Sequence, residues 1–447
     1  MPKVAIHSLG CKVNSCETQA MQSKLKGRGF TIVPFFEWAD IYIVNTCTVT
    51  GVADQKSKKM LRRARRQNSN AVIVAVGCLV DAIGRKEGGS LEDMDIDLWI
   101  GNSEKERLDE ILVKYMEAAG IRAASARKET LPAQAGTAPP AATKTHSRAF
   151  IKIQDGCDRY CSYCIVPYVR GRARSKRAAD VVAEAREVVA AGHKEIVLTG
   201  INLSAYGGDL GESEALISLL EQLSELEGLM RIRLSSLEQG IITPDFARRM
   251  AALEKVCPHF HLSLQSGSDT VLRRMNRRYS TAEYYEKVEM LRGVYAGSPA
   301  ITTDIITGFP GETDEEFLET KAFLTKVGFA GLHVFPYSKR AGTQAAAMPG
   351  QISPAVKKER CRELILLGEA LSKAYRTELI GQAVTLILEE KKQIDGKIYW
   401  LGYSAEYVRV AVAETDLAEA EAKPGQPLKL RVCGHLSPEL MLGSRLD

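Results

Sequence analysis

Three short apolar runs open the chain: VAIHSL (4–9), IYIVN (41–45) and VIVAVG (72–77). Each is rich in β-branched residues, apolar on both faces and bounded by turn residues, the pattern of a buried parallel strand. The stretches between them, among them SCETQAMQSKLKGRG and QKSKKMLRRARRQ, carry polar residues at helical spacing. Strand–helix–strand order predicts a parallel α/β domain over residues 1–122. Residues 123–147 are rich in Ala, Thr and Pro with little apolar bulk, which predicts a linker. The alternation restarts at 148. FIKIQ (150–154), EIVLTG (195–200), RIRLSS (231–236), FHLSLQ (260–265), ITTDIITG (301–308) and LHVFPY (332–337) read as strands, and RAADVVAEAREVVAAG (177–192) as a helix. A further helix opens at Thr313, with Glu316 in capping-box position. Six βα units over 148–374 predict a partial (β/α)6 barrel. Over 375–447 the helical period gives way to alternation in VTLILEE, KIYWLGYS, YVRVAVAE and PLKLRVCGH, with DG and GQP turns, which predicts a small antiparallel β-barrel. The fold class is thus α/β, with a C-terminal β domain.

Composition narrows this picture. A chain of 447 residues suits about three domains. Its 45% apolar and 26% charged residues exclude a mainly disordered or fibrous chain. No signal-peptide pattern and no apolar run of membrane-spanning length appears, so a cytoplasmic location without membrane association is expected. In that compartment clustered cysteines point to metal or redox chemistry rather than disulfides.

Cys11, Cys47 and Cys78 each follow a predicted strand within a residue or two. The carboxyl ends of parallel strands share one edge, where ligands bind, so three thiolates can converge there on zinc or an iron–sulfur cluster. Cys157, Cys161 and Cys164 form a second group, Cys-x-x-x-Cys-x-x-Cys, directly after the first strand of the second domain. Three thiolates on a four-iron cluster leave one iron open to a small molecule, the mark of a catalytic site. A zinc knuckle completed by a distant Cys257 or His261 is the competing use. His7, His193, His259 and His261 show no metal-ligand spacing, and GGDLG (207–211) lacks the Lys-Ser/Thr of a phosphate loop.

The Cys157–Cys164 motif, with Tyr163 before its third cysteine, resembles the signature of radical S-adenosylmethionine enzymes. LGCKVNSCETQAM, NTCTVT with the basic stretch after it, and VAVGC resemble the N-terminal domain of methylthiotransferases, and the last segment resembles a TRAM domain. The CKVN and NTCTVT motifs look most like the branch that methylthiolates threonylcarbamoyladenosine in tRNA. The resemblance implies two [4Fe–4S] clusters, a catalytic one on Cys157, Cys161 and Cys164 and an auxiliary one on Cys11, Cys47 and Cys78. It implies one S-adenosylmethionine cleaved to a 5′-deoxyadenosyl radical that abstracts hydrogen from carbon 2 of the adenine beside the anticodon, and a second as methyl donor. An electron donor such as flavodoxin or ferredoxin would be a partner. By the same resemblance Tyr163, Thr199, Gly200, Ser235, Gln265, Ser266, Asp304 and Gly308 contact S-adenosylmethionine.

Local charge carries the case for RNA, since the net charge is only +5. Residues 56–66 hold seven basic side chains and no acid, 170–177 five, and 273–278 four. Lys58, Lys59, Arg62, Arg63, Arg65, Arg66, Arg170, Arg172 and Arg174 are therefore the expected phosphate contacts. The last segment, with nine Lys+Arg against eleven Asp+Glu, is no electrostatic anchor. It would read a base edge through Tyr399, Trp400 and Tyr403, unless these fill its core, or help cover the site. Isopentenyladenosine or a ribosomal-protein side chain is the alternative substrate, and a non-catalytic RNA-binding metalloprotein the alternative of another class.

Overall fold

The first apolar run forms β1 (Lys3–Ser8), and the chain continues through α1 (Lys12–Gly27), β2 (Thr31–Val33), β3 (Ile41–Thr46), α2 (Gly51–Gln67), β4 (Val72–Gly77), α3 (Cys78–Gly84), β5 (Leu98–Ile100) and α4 (Leu108–Ala118). The computed structural model describes residues 1–84, 95–120, 148–295 and 297–446, so the expected linker at 123–147 lies outside the described residues. The five strands form one parallel sheet in the order β2-β1-β3-β4-β5. β3 and β4 are buried at every position, as strands covered by helices on both faces must be.

Beyond residue 148 come β6 (Arg148–Lys152), β7 (Gln154–Asp155), α5 (Val166–Arg170), β8 (Arg174–Ser175), α6 (Ala178–Ala190), β9 (Glu195–Thr199), α7 (Ala215–Ser224), β10 (Arg231–Leu234), β11 (Ser236–Leu237), α8 (Pro244–Ala251) and β12 (His259–Leu262). Then follow α9 (Asp269–Arg274), α10 (Thr281–Val294), β13 (Ala300–Thr307), α11 (Asp314–Val327), β14 (Gly331–Pro336), α12 (Gln344–Ala347) and α13 (Pro354–Glu378). The predicted capping box closes the N-terminus of α11, with Thr313 Oγ1 accepting from the Glu316 amide.

Contacts divide the chain into two compact units. The first joins Met1–Ala141 to Asp155–Ala173 and Ser338–Ala346, so the Cys157–Cys164 loop packs with the N-terminal sheet. The second holds Ala142–Gln154, Arg174–Tyr337 and Ala347–Asp447. In it β10-β9-β6 and β11-β12-β13-β14 are parallel sheets, joined where β10 runs through Ser235 into β11. Six strand positions alternate with helices in an open (β/α)6 arrangement. Ile151, Ile196, Leu198, Ile232 and Leu234 pack with residues of the surrounding helices in one core, which leaves alternate positions such as Glu195, Arg233 and Thr199 on the other face.

The C-terminal segment forms β15 (Ala383–Ile394), β16 (Lys397–Tyr403), β17 (Arg409–Ala413), β18 (Pro427–Ser437) and β19 (Leu440–Arg445), closed as a barrel in the order β15-β16-β17-β19-β18. Closure adds an unpredicted fifth strand, β19, and pairs it with β17 in parallel rather than antiparallel. Tyr399 and Trp400 are buried, so the core reading of these aromatics holds. Tyr403 stacks on Tyr407 at 4.6 Å beneath the Arg148 guanidinium. This barrel is fastened to β10, from its amino-terminal residue Arg231 to Arg233. Arg231 donates to the Tyr403 and Thr385 carbonyls, and Arg233 to those of Ser404 and Ala405. Thr199 and Ser235 lie at the opposite, carboxyl ends of their strands, so this barrel is not the cover expected for them.

Candidate active site and its surroundings

Cys11, Cys47 and Cys78 end β1, β3 and β4, which are adjacent in the sheet and aligned in register, Ser8 opposite Asn45 and Thr46 opposite Gly77. Adjacent strands lie about 4.8 Å apart, so the three thiols share a short stretch of one edge. Cys11 is the N-cap of α1, and Cys78 is the first residue of α3. Helix N-termini favour thiolates. Gly10 (φ +96°) permits the approach: a Cβ there would lie 2.6 Å from Cys47 Sγ.

The polar residues of the quoted motifs build this edge. Asn14 Nδ2 donates to the carbonyls of Leu9 (2.7 Å) and Thr46 (3.0 Å). Asn45 Nδ2 donates to the Asn14 carbonyl, and Thr46 Oγ1 donates to the Val76 carbonyl and accepts from the Leu79 amide. Ser57 on α2 bonds both backbone groups of Cys47 at 3.1 Å. Burial pushes the Cys47 thiol up to about 11; Cys78 and Cys11 add to this, while the Val49 amide and Arg170 oppose it. Cys78 and Cys11 therefore both stand within electrostatic reach of Cys47.

The second cysteine group lies in a closed loop. Cys157 N donates to the Gly171 carbonyl at 3.1 Å, and Gly156 (φ +71°) has no room for a Cβ against the Arg172 carbonyl. Cys161 N–Cys164 geometry is a tight turn, with Cys164 N donating to the Cys161 carbonyl at 2.9 Å, and Ala345 N donates to the Ser162 carbonyl. Tyr163 is half-buried within the same loop. All ten cysteines are free thiols. Among the described residues, no group of three or more His, Cys, Asp or Glu is arranged to hold a single metal ion.

In the second unit, Thr199 Oγ1 and Ser235 Oγ, at the ends of β9 and β10, are buried without a hydrogen-bond partner among the described residues. An orphaned buried hydroxyl is costly and fits a polar ligand such as a ribose or an amino group. Gly200 follows Thr199, where a Cβ would lie 2.9 Å from Gln154 Cβ. Gln265 sits at φ +77°, a strained conformation for a non-glycine residue, held by its amide on the Asp304 carbonyl and its carbonyl on the Ile306 amide, both at 2.9 Å. Gly308 donates its amide to Glu312, which pairs with Arg360. Ser266 is turned towards α11, its Oγ 3.4 Å from Thr320 Oγ1, so it shapes the turn rather than joining this group. Asp304 meets a residue that the sequence offered only as a distant zinc ligand: His261 Nε2 lies 3.3 Å from its carboxylate, and Thr302 bonds the other ring nitrogen. The parallel register of β12 on β13, which sets His261 opposite Thr302, is what brings it to Asp304.

The basic clusters divide. On α2, Lys59, Arg62, Arg63 and Arg66 are exposed, and Lys58 is half-buried. Arg65 is not free for phosphate: it pairs with Asp95 and Asp97 and donates to the Ser69 and Ala71 carbonyls. Arg172 is exposed beside Asp158, and Arg174 is exposed. Arg170, expected at the RNA surface, is buried. Its guanidinium pairs with Glu17 (3.0 Å) and Asp155 (2.8 Å) and donates to Asn14 Oδ1. In the third cluster Arg277 is buried against Glu238, and Arg274 pairs with Glu316. Charge density along a sequence does not tell which way a side chain turns.

Residues 151–324 match the radical SAM superfamily, and residues 3–101 match an uncharacterized family, UPF0004. The chain is 38% identical to the threonylcarbamoyladenosine tRNA methylthiotransferase MtaB of Bacillus subtilis, over 93% of this chain and 91% of the relative. It is 35% identical to MtaB of Aquifex aeolicus, over 87% and 94%. It is also 35% identical to a tRNA-2-methylthio-N(6)-dimethylallyladenosine synthase of Pelotomaculum thermopropionicum, over 89% of each chain. Among solved structures, the radical S-adenosylmethionine methyltransferase TsrM of Kitasatospora setae, with cobalamin and a [4Fe–4S] cluster bound, shares the fold at a TM-score of 0.56 and 14% identity, over 77% of each chain.

Proposed function

Since this chain belongs to the radical SAM tRNA methylthiotransferases, we propose that it methylthiolates carbon 2 of N6-threonylcarbamoyladenosine next to the anticodon. The observation that carries this reading is the 38% identity to MtaB over nearly the whole of both chains, together with a strand-edge site built from the CKVN and NTCTVT motifs. The family implies a [4Fe–4S] cluster and S-adenosylmethionine, and we assign the catalytic cluster to Cys157, Cys161 and Cys164. A second cluster on Cys11, Cys47 and Cys78 fits soft thiols beside helix N-termini and a buried cation. When bound, the catalytic cluster and S-adenosylmethionine supply a 5′-deoxyadenosyl radical; a second S-adenosylmethionine supplies the methyl group, and a flavodoxin- or ferredoxin-type protein the electron.

The chain's own residues bind and orient. Thr199, Gly200, Ser235, Gln265, Asp304 and Gly308 are proposed to contact S-adenosylmethionine, with Tyr163 on its adenine. Replacing Thr199 with Val or Ser235 with Ala should raise the KM for S-adenosylmethionine by roughly fivefold each, the worth of about 1 kcal/mol per hydrogen bond. Steady-state 5′-deoxyadenosine formation measures this, and an unchanged KM in both would remove them from the site.

Lys58, Lys59, Arg62, Arg63 and Arg66 on α2, with Arg172 and Arg174, are proposed to track tRNA phosphates, and residues 375–447 to act as a TRAM-like domain. Changing Lys59, Arg62, Arg63 and Arg66 together to Gln should flatten the slope of log affinity against log salt by about 3. A binding titration at several salt concentrations reads it; an unaltered slope places the RNA elsewhere.

The dimethylallyladenosine synthase relatives favour a second reading, in which the substrate is isopentenyladenosine. Nucleoside analysis of tRNA from a strain lacking the gene separates the two. The 2-methylthio group should vanish from threonylcarbamoyladenosine and persist on isopentenyladenosine; the reverse pattern selects the second reading.

A further inference from the structure

Arg170 has no place on an RNA surface, and its surroundings point elsewhere. It closes α5, the short helix that follows Cys164 by two residues. Its side chain is 2% exposed. The guanidinium is gripped by Glu17 and Asn14 from α1 and by Asp155 from the base of the cysteine loop, and Lys105 reaches the same Glu17 at 2.7 Å, itself buried. Its chain neighbour Val169 packs on Cys78 together with Ile165. Asn102 spans the same gap, donating to the Val169 carbonyl at 2.8 Å and lying 3.6 Å from Cys78 Sγ. Burial works against the Arg170 charge, but Cys78, Glu17 and Asp155 outweigh it, so the guanidinium is held firmly protonated. A buried cation is costly unless it is paired; this one is paired, and it also lies within electrostatic reach of Cys78 and Cys47.

We propose that Arg170 is a positioning residue for the auxiliary cluster, one whose fixed charge sets that cluster's reduction potential while its hydrogen bonds tie the radical-motif loop to the strand edge. This rests on the two-cluster reading above. Reduction of a cluster adds one negative charge, which a nearby cation favours, so Arg170 raises the potential. Glu17, which partly neutralises it, lowers it.

The test uses the full-length protein with Cys157, Cys161 and Cys164 changed to Ala, reconstituted anaerobically so that only the auxiliary cluster remains, and titrated with dithionite under EPR. In this background Arg170→Met should make reduction at least tenfold less favourable, a fall of about 59 mV for a one-electron couple. Glu17→Gln should shift the potential upward, and Arg170→Lys, which keeps the charge, should restore most of the parental value. A merely structural role would lower iron content in all three without opposed shifts. Should Arg170→Met take up no iron, Glu17→Gln and Arg170→Lys still decide. Iron present with an unmoved or same-direction potential overturns the role of Arg170 alone. No iron in the background protein overturns the two-cluster reading, and this proposal with it.

Discussion

Changing Cys157 to Ala should reduce 5′-deoxyadenosine formation to the level of an enzyme-free control, and changing Cys47 to Ala should not. The two residues sit in sites of different construction. Cys157 belongs to a short loop whose three thiolates would, on the proposed four-iron cluster, leave one iron open to a small molecule, whereas Cys47 sits at the end of a central strand, fixed through both backbone groups by Ser57. Loss of Cys157 therefore removes cleavage of S-adenosylmethionine. Loss of Cys47 removes sulfur insertion downstream of it, so reductive cleavage continues while methylthiolated nucleoside disappears. Iron should fall from about eight per chain to about four in either variant. Chromatography of anaerobic reactions, with iron analysis beside it, checks the pair. Cleavage retained by Cys157→Ala, or lost in Cys47→Ala at normal iron loading of the remaining cluster, would break the division of labour.

The second large effect is on stability. Arg233 and Glu195 face each other at 2.8 Å on neighbouring strands, with side chains 2% and 1% exposed. Arg233 also lies 4.7 Å over the Tyr407 ring and donates to the Ser404 and Ala405 carbonyls of the C-terminal barrel. Arg233→Met leaves the Glu195 carboxylate to Arg231, at 3.5 Å, and takes the donor from the Ser404 and Ala405 carbonyls in a buried setting. Removing one member of such a pair costs about 3–5 kcal/mol, so the denaturant midpoint of the second unit should drop sharply and the C-terminal barrel should become sensitive to proteolysis. A replacement of both partners by apolar residues should recover much of the loss. A near-neutral Arg233→Met would show that the pair is solvated in solution. Cys257 belongs to this region as packing: it is fully buried and its thiol is pushed up to about 11.

Much of this was legible in the sequence because burial on both faces writes long apolar runs. The three runs before residue 80 and the six beyond 148 all became strands. β2 and β5, three residues each, were too short to carry a period. β19, LMLGSR, is interrupted by Gly and Ser, and its parallel partner β17 is set by barrel closure, which alternation does not encode. The cysteines could be found from their position after strands. The arginines could not be sorted, because Arg65, Arg170 and Arg277 read like their exposed neighbours until the fold supplied Asp97, Glu17 and Glu238 as partners. His261 shows the converse: spacing within the sequence gave it no metal pattern, yet parallel pairing of β12 with β13 brings Asp304 within 3.3 Å.

Substrate choice is tested most directly by competition. The reconstituted protein, given S-adenosylmethionine and a reductant without oxygen, is offered equal amounts of two tRNAs, one carrying threonylcarbamoyladenosine and the other isopentenyladenosine, and the digested nucleosides are weighed by mass spectrometry. The expected result is a methylthio group on threonylcarbamoyladenosine, dependent on both cysteine triads, with the isopentenyl nucleoside unchanged. Methylthiolation of isopentenyladenosine instead, or of neither nucleoside by protein loaded with both clusters, would contradict it.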